Sequence, residues 1–391
     1  MADRPIYLDY QATAPTDPRV VDAMLPWFTR RFGNPHSLHS IGEAAATAVD
    51  RARRQLAALI GADAKEIIFT SGATEANNLA IKGVARFHRR RGRHIVTCVT
   101  EHKCVLESCA RLEEEGVAVT RLPVDSDGLI NTTMLAAALR PETVLVSIMA
   151  VNNEIGVIQP LAEIGAICRR AGVYFHTDAA QAAGKIPLDV NDMTIDLMSV
   201  SGHKMYGPMG VGALYLRRRP RVRLTPLMDG GGQERGVRSG TVPTPLVVGL
   251  GAAAEIAGAE MVAEGARLEA LRARLLGGLQ ARLPGLRING SMAHRVPGNL
   301  NLCFPGVVGD ALLARLDGLA LSTGSACSAG STAPSYVLRG IGLDAAAALA
   351  SVRIGLGRFT SESDVDVAVR EIADAVVQLS AETPADADVA V

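Results

Sequence analysis

The sequence predicts an α/β protein: a large domain with a mostly parallel seven-stranded sheet covered by helices on both faces, joined to a smaller α+β domain. Three observations carry that prediction. Short β-branched runs alternate with helical periodicity from residue 66 to residue 216, the run at 143–151 is apolar throughout, and the pattern changes near residue 258. Strands separated by helical stretches imply right-handed βαβ units, and a strand without polar alternation implies burial on both faces. A chain of 391 residues, 48% apolar and 20% charged, suits about two domains.

In order along the chain, strands are expected at 66–70, 94–99, 117–124, 143–151, 173–177, 196–200 and 211–216. Helices are expected between them at 75–87, 105–115, 135–139 and 161–170. Beyond 258 come a long Arg-, Glu- and Leu-rich helix at 260–283, short strands near 286–289 and 299–304, and a closing helix at 363–380. The expected division places residues 15–258 in the large domain, and 1–14 with 259–391 in the small one. The tail after residue 381 is Ala, Asp and Pro without periodicity and is expected to be loosely ordered.

Forty basic and forty acidic residues leave no net charge, so no global field draws nucleic acid or an anionic membrane. The first ten residues carry Asp3, Arg4 and Asp9 and lack the apolar core of a signal peptide. The longest weakly polar stretch, 245–258, is short of the roughly 20 residues a spanning helix needs, so no membrane segment is expected. Six scattered cysteines without a CxxC pair suggest reduced thiols and a cytoplasmic location.

Ser71, Gly72, Ala73, Thr74 and Glu75 stand between a strand and a helix. Free N–H groups at a helix start, a close approach at Gly72 and the hydroxyls of Ser71 and Thr74 suit a phosphate; the same residues would serve as a plain N-cap. Asp178 follows a strand, Gln181 comes three residues later, and Lys204 lies in Ser201-Gly202-His203-Lys204, one of five lysines against 35 arginines. A strand-end carboxylate, a loop lysine and a phosphate cradle are what pyridoxal phosphate requires: the amine bonds the aldehyde and the carboxylate keeps the ring nitrogen protonated. The alternative is a surface salt bridge and a solvated lysine.

His102, in Thr100-Glu101-His102-Lys103, falls at the carboxyl edge of the sheet, where α/β ligands bind. It could stack on a planar cofactor and move protons, or it could be structural. The spacing of His102, Cys104 and Cys109 does not match a structural zinc site, and no resident metal is expected. Cys327 sits in a run of small residues, 322–331, that suits a travelling nucleophile or group carrier. Cys98, Cys104, Cys109, Cys168 and Cys303 fall in strand or helix patterns and are expected to be inert core thiols. Arg353, between apolar neighbours, suits either a bidentate carboxylate contact or an interdomain salt bridge.

Carrying these residues, the chain resembles the NifS/IscS-like cysteine desulfurases, fold-type I pyridoxal-phosphate enzymes of the class V aminotransferase superfamily. The resemblance runs from IYLDY (6–10) to about residue 359, through FGNPHS (32–37), FTSGATEANNLAIKG (69–83), TEHK (100–103), VNNEIGV (151–157), SGHKMYGP (201–208), GGGQERGVRSGT (230–241) and PSYVLRGIGL (334–343). It implies that Lys204 bonds pyridoxal 5'-phosphate, Asp178 partners the ring nitrogen, Gln181 donates to the ring oxygen, and His102 stacks on the ring as acid or base. Ala73, Thr74, Ser201 and His203 would hold the phosphate, with Thr241 from the partner subunit of a homodimer. Asn34, Asn152 and Arg353 would grip the substrate, and Asn152 would also contact the cofactor.

On the same resemblance, Cys327 would take the sulfur of L-cysteine as a persulfide and leave L-alanine. A small acceptor or iron–sulfur scaffold protein would then receive the sulfur, with an iron–sulfur cluster passing transiently at Cys327. Two departures from the family's pattern, the loop SACSAGSTAPSYVL and the short tail after Leu379, leave the acceptor open. A selenocysteine lyase and a plain class V aminotransferase are the alternatives on the same scaffold, and a cofactor-free interaction protein is the reading from another class.

Overall fold

A computed structural model of the protein describes residues 5–323 and 333–382; Cys327, most of the loop expected to carry it, and residues 383–391 lie outside them. The strands in chain order are β1 (Ile6–Tyr7), β2 (Ile67–Thr70), β3 (His94–Cys98), β4 (Ala118–Leu122), β5 (Thr143–Ser147), β6 (Tyr174–Asp178), β7 (Leu197–Ser201), β8 (Gly212–Leu216), β9 (Arg287–Ile288), β10 (Asn299–Cys303), β11 (Leu319–Ala320) and β12 (Ser351–Gly355). Seven of them form one sheet in the order β2-β8-β7-β6-β5-β3-β4. Pairing is parallel from β7 through β4, and only β8 runs against its neighbours.

Consecutive side chains of these strands enter different cores. Ile67 and Phe69 join one apolar cluster while Ile68 joins another; Ala213 and Tyr215 join the first and Leu214 the second. Burial on both faces explains why the strands read as continuous apolar runs. The expected strand at 143–151 ends at Ser147, although Ile148 and Ala150 still donate to the carbonyls of His176 and Asp178.

The remaining strands pair as β12-β10-β9, antiparallel, and β1-β11, parallel. A third cluster beneath them contains Leu300, Leu302, Val352, Ile354 and the helix Glu362–Glu382 residues Val365, Ala368 and Ile372.

The long helix departs most from expectation. It starts at Thr244 and runs unbroken to Arg282. Its first half, Val247, Leu250, Ala253, Ala254 and Ala257, is buried in the sheet's cluster, and its second half, Leu268, Leu271, Leu275 and Leu279, in the small-sheet cluster. The change of pattern near 258 is therefore a change of buried face within one helix. By length and composition alone this helix passes for a membrane span, with a mean hydropathy of 1.6 in its most apolar stretch, a test that a core helix with side chains buried as these are also passes. Gly251 serves close packing: a Cβ there would stand 2.5 Å from Ala52 Cα, on the helix Ser40–Leu59.

Candidate active site

Four parallel-edge features converge on one cavity of about 560 Å³. β6 delivers Asp178 at its last residue, and β7 delivers Ser201 directly before the 3-10 turn Gly202–Lys204. β2 leads through Gly72 into the helix Ala73–Phe87, and the loop after β3 ends at His102, the N-cap of the helix Lys103–Glu114. The geometry is tight where β8 passes: a Cβ at Gly212 would lie 2.7 Å from Gly72 Cα, so only glycine fits there, whereas a Cβ at Gly72 would project into open space.

Of the residues singled out from the sequence, Ala73, Thr74, His102, Asp178, Gln181, Ser201, His203, Lys204 and Arg353 line this cavity. Asp178 is buried, its Oδ2 accepting from Asn77 Nδ2 at 2.6 Å and its Oδ1 from the backbone N–H of Ala180 at 2.9 Å. Lys204 Nζ donates to the carbonyls of Gln11 and of Ala12, the latter at 2.6 Å. His203 bonds Thr13 Oγ1 at 3.0 Å; burial, then the charges of Lys204 and Lys185, brings its pKa down to about 4, so its ring is neutral near pH 7.

His102 Nδ1 accepts the backbone N–H of Cys104 at 3.2 Å. That bond requires an unprotonated Nδ1, so the proton of the neutral ring sits on Nε2. Arg353 is buried: Nη2 pairs with Asp9 Oδ1 at 2.7 Å and Ser322 Oγ at 2.8 Å, and Nη1 donates to the carbonyl of Asn153 at 3.0 Å. Its Nε, equally buried, has no partner among the described residues. Three of its five N–H donors are thus used, and a guanidinium with donors to spare at a cavity wall can receive an anionic ligand.

Three expectations are corrected. Asn152 is buried away from the cavity, its amide donating to the carbonyl of Thr100 at 2.9 Å and accepting from the N–H groups of Glu154 and Ile155; the neighbouring Asn153 lines the cavity instead. Asn34 stands on an exposed loop, its Oδ1 accepting from the N–H of His36 at 3.0 Å, outside the cavity. Cys104 is not an inert core thiol. Its position just inside the helix capped by His102 brings it to the cavity wall, with its sulfur 3.0 Å from His102 Nδ1, whereas Cys98, Cys109, Cys168 and Cys303 are buried.

Thr241 is likewise exposed and outside this cavity. The neighbouring arginines have partners within the chain: Arg238 pairs with the Glu75 carboxylate at 2.8 Å, and Arg235 donates to the carbonyl of Ile67 at 2.6 Å. Burial raises the Glu75 carboxyl, but its bonds to Arg238 and Ser71 outweigh that and hold it below the usual carboxylate range.

Glu101 was missed in the sequence despite lying in the TEHK segment. It is fully buried, with Oε1 accepting from the N–H of Met149 at 2.6 Å and Oε2 without a partner among the described residues; burial, reinforced by the charge of Asp178, raises its pKa to about 8. No metal-binding cluster occurs among the described residues.

A mostly parallel sheet that brings a turn lysine, a strand-end carboxylate and a glycine-led helix N-terminus to one edge defines an enzyme of the class V aminotransferase kind. The chain belongs to that family: the family described as Aminotransferase class-V matches residues 6–367. Among its relatives, the cysteine desulfurase of Homo sapiens is 59% identical over 382 residues, 97% of this chain and 84% of that protein. Among solved structures, a NifS-like protein superposes with a TM-score of 0.90 at 36% identity, covering 96% of this chain and all of its own. A structure of SspA in complex with cysteine superposes with a TM-score of 0.81 at 40% identity, covering 91% of this chain and all of that one.

Proposed function

We propose that the protein is a cysteine desulfurase that holds pyridoxal 5'-phosphate in this cavity and transfers the sulfur of L-cysteine to Cys327, leaving L-alanine. The observation that carries the reading is the meeting of Lys204, Asp178 and the start of the Ala73–Phe87 helix on one cavity. The groups present fit the cofactor: the helix N-terminus with Thr74, Ser201 and His203 as donors to its phosphate, Asp178 as acceptor for its ring N–H, Gln181 as donor to its ring oxygen and Lys204 as the amine for its aldehyde. The open space beside Gly72 leaves that N-terminus accessible.

When bound, the cofactor draws electrons from the substrate through its ring and so weakens the bond between Cβ and sulfur. The chain's own residues do the rest. Arg353, at the cavity wall, receives the substrate carboxylate through its guanidinium N–H groups. His102, with Nδ1 committed to the Cys104 N–H, gives and takes protons at Nε2. The Cys327 thiolate attacks the substrate sulfur: the Cβ–S bond breaks, an S–S bond forms, and the carbon ends with a proton as the methyl of alanine. One cysteine and one protein thiol thus give one alanine and one protein persulfide, with no external oxidant or reductant.

A homodimer would complete the site with Thr241 from a second copy. Thr241 is exposed, and Phe28, Phe32, Leu38 and Ile41 are exposed apolar side chains that a second copy would cover. The persulfide would pass to a small acceptor or iron–sulfur scaffold protein in the cytoplasm, a location in keeping with the five free cysteines among the described residues. The test is product analysis with L-cysteine as sole substrate. Alanine and transferred sulfur in equal amounts are expected; amino-group transfer to a keto acid without release of sulfur would overturn the proposal.

A further inference from the structure

Behind the lysine turn lies a second, small void of about 20 Å³, lined in part by Lys185, Lys204, Gln11 and Glu264. Lys185 reaches no carboxylate within salt-bridge distance among the described residues. Glu264 is committed to Arg358 at 2.8 Å, and the other charges acting on Lys185, those of Lys204 and Arg353, repel it. Its Nζ donates instead to a neutral amide, Gln181 Oε1, at 2.9 Å. On the other side of that amide, Gln181 Nε2 donates to the carbonyl of Gln11 at 2.8 Å, the same carbonyl that receives Lys204.

We infer that Lys185 is a positioning residue whose ammonium fixes the side-chain amide of Gln181, so that its NH₂ and never its carbonyl oxygen is offered to the main cavity. The chemistry leaves no other arrangement. An ammonium only donates and a carbonyl oxygen only accepts, so the amide between them has one orientation, independent of how its atoms are assigned. One of the two amide protons goes to Gln11; the second remains for a ligand in the cavity, which Gln181 lines. Burial, then the charges of Lys204 and Arg353, lowers the Lys185 pKa to about 7, so the ammonium form that only donates prevails below that pH.

This inference rests on the proposed reading that the ring oxygen of the cofactor faces Gln181. A donor there stabilises the oxyanion, the deprotonated form of the bound chromophore, so losing the donor raises the pH at which the visible band titrates.

In the cofactor-loaded protein, Lys185→Met is expected to move that midpoint up by about one pH unit, the size of one net hydrogen bond. Lys185→Arg, which also only donates, is expected to keep the wild-type midpoint. In a Gln181→Met background Lys185→Met is expected to add no shift, because the residue it acts through is gone. Should Lys185→Met not fold, Lys185→Leu, which likewise offers no donor, carries the same expectation of an upward shift. An unchanged midpoint overturns the inference, as does an equal shift in the Gln181→Met background, which would mean that Lys185 acts through its charge alone. A wild-type protein that forms no visible band with pyridoxal phosphate overturns the proposed function and this inference together.

Discussion

Asn77 Nδ2 donates to Asp178 Oδ2 across 2.6 Å, joining the second turn of the Ala73–Phe87 helix to the end of β6. The helix that presents its N-terminus to the cavity thereby also orients the carboxylate on the cavity's far side. Both groups are buried, and removing the donor leaves a carboxylate oxygen short of a partner. Asn77→Ala is expected to cost about 1–3 kcal/mol of stability and to speed cofactor loss, read by denaturant unfolding and by decay of the visible band after dilution. Wild-type values in both would show that Asp178 is held by other means.

Lys204 and His102 separate by the kind of loss each causes. Lys204→Ala is expected to abolish the borohydride-fixed pyridoxyl group found by peptide mapping, since no other lysine lines the cavity. His102→Gln is expected to keep that group on Lys204 yet slow turnover by roughly 10² to 10⁴. A pyridoxyl group mapped to Lys185 or Lys103 would refute the first assignment, and unchanged turnover the second.

The segment 230–241 is anchored by a buried ion pair. Glu234 takes Arg53 Nη2 at 2.7 Å and Nη1 at 2.8 Å, and also the N–H of Phe69 at 2.8 Å, while its own backbone stands at φ 47°. Breaking one side of a buried pair strands the other charge, so Glu234→Ala is expected to destabilise by about 3–5 kcal/mol. Arg53→Met with Glu234→Leu together is expected to cost less than either change alone. Chemical denaturation of the three variants checks this, and additive losses would show that the pair is uncoupled.

The sheet and most of the site could be read from sequence because both depend on local pattern: an apolar run for β5, glycine before a helix at Gly72, and a lysine in a turn at Lys204. What escaped depends on partners distant along the chain. The first half of the Thr244–Arg282 helix is Gly- and Ala-rich and looks weak until Ala52 and Met24 are seen against Gly251 and Gly249. Asn152 and Asn153 are alike in sequence, and only the turn that captures the first amide tells them apart. Glu101 is charged in the sequence and buried in the fold, which no neighbouring residue signals.

That burial gives Glu101 a pH signature. With its folded pKa raised to about 8 above the unfolded value, Glu101 contributes stability that is complete below the unfolded pKa and is lost as pH rises toward 8. Glu101→Gln removes the titration while keeping an acceptor for the Met149 N–H. The variant is expected to lose less stability than wild type between pH 5 and pH 8.5, by at least about 1 kcal/mol. Parallel stability curves for the two proteins would mean that Glu101 ionises as an ordinary surface carboxylate does.

The central claim is that sulfur from L-cysteine comes to rest on Cys327. Mass spectrometry of peptides from the cofactor-loaded protein, after one turnover with isotopically labelled cysteine and thiol blocking, tests it directly. One labelled sulfur atom is expected on the peptide containing Cys327, matched by one alanine, and none on the protein when Cys327→Ser is treated alike. Labelled sulfur on Cys104, the thiol beside His102 at the cavity wall, with Cys327→Ser turning over as wild type does, would contradict the account.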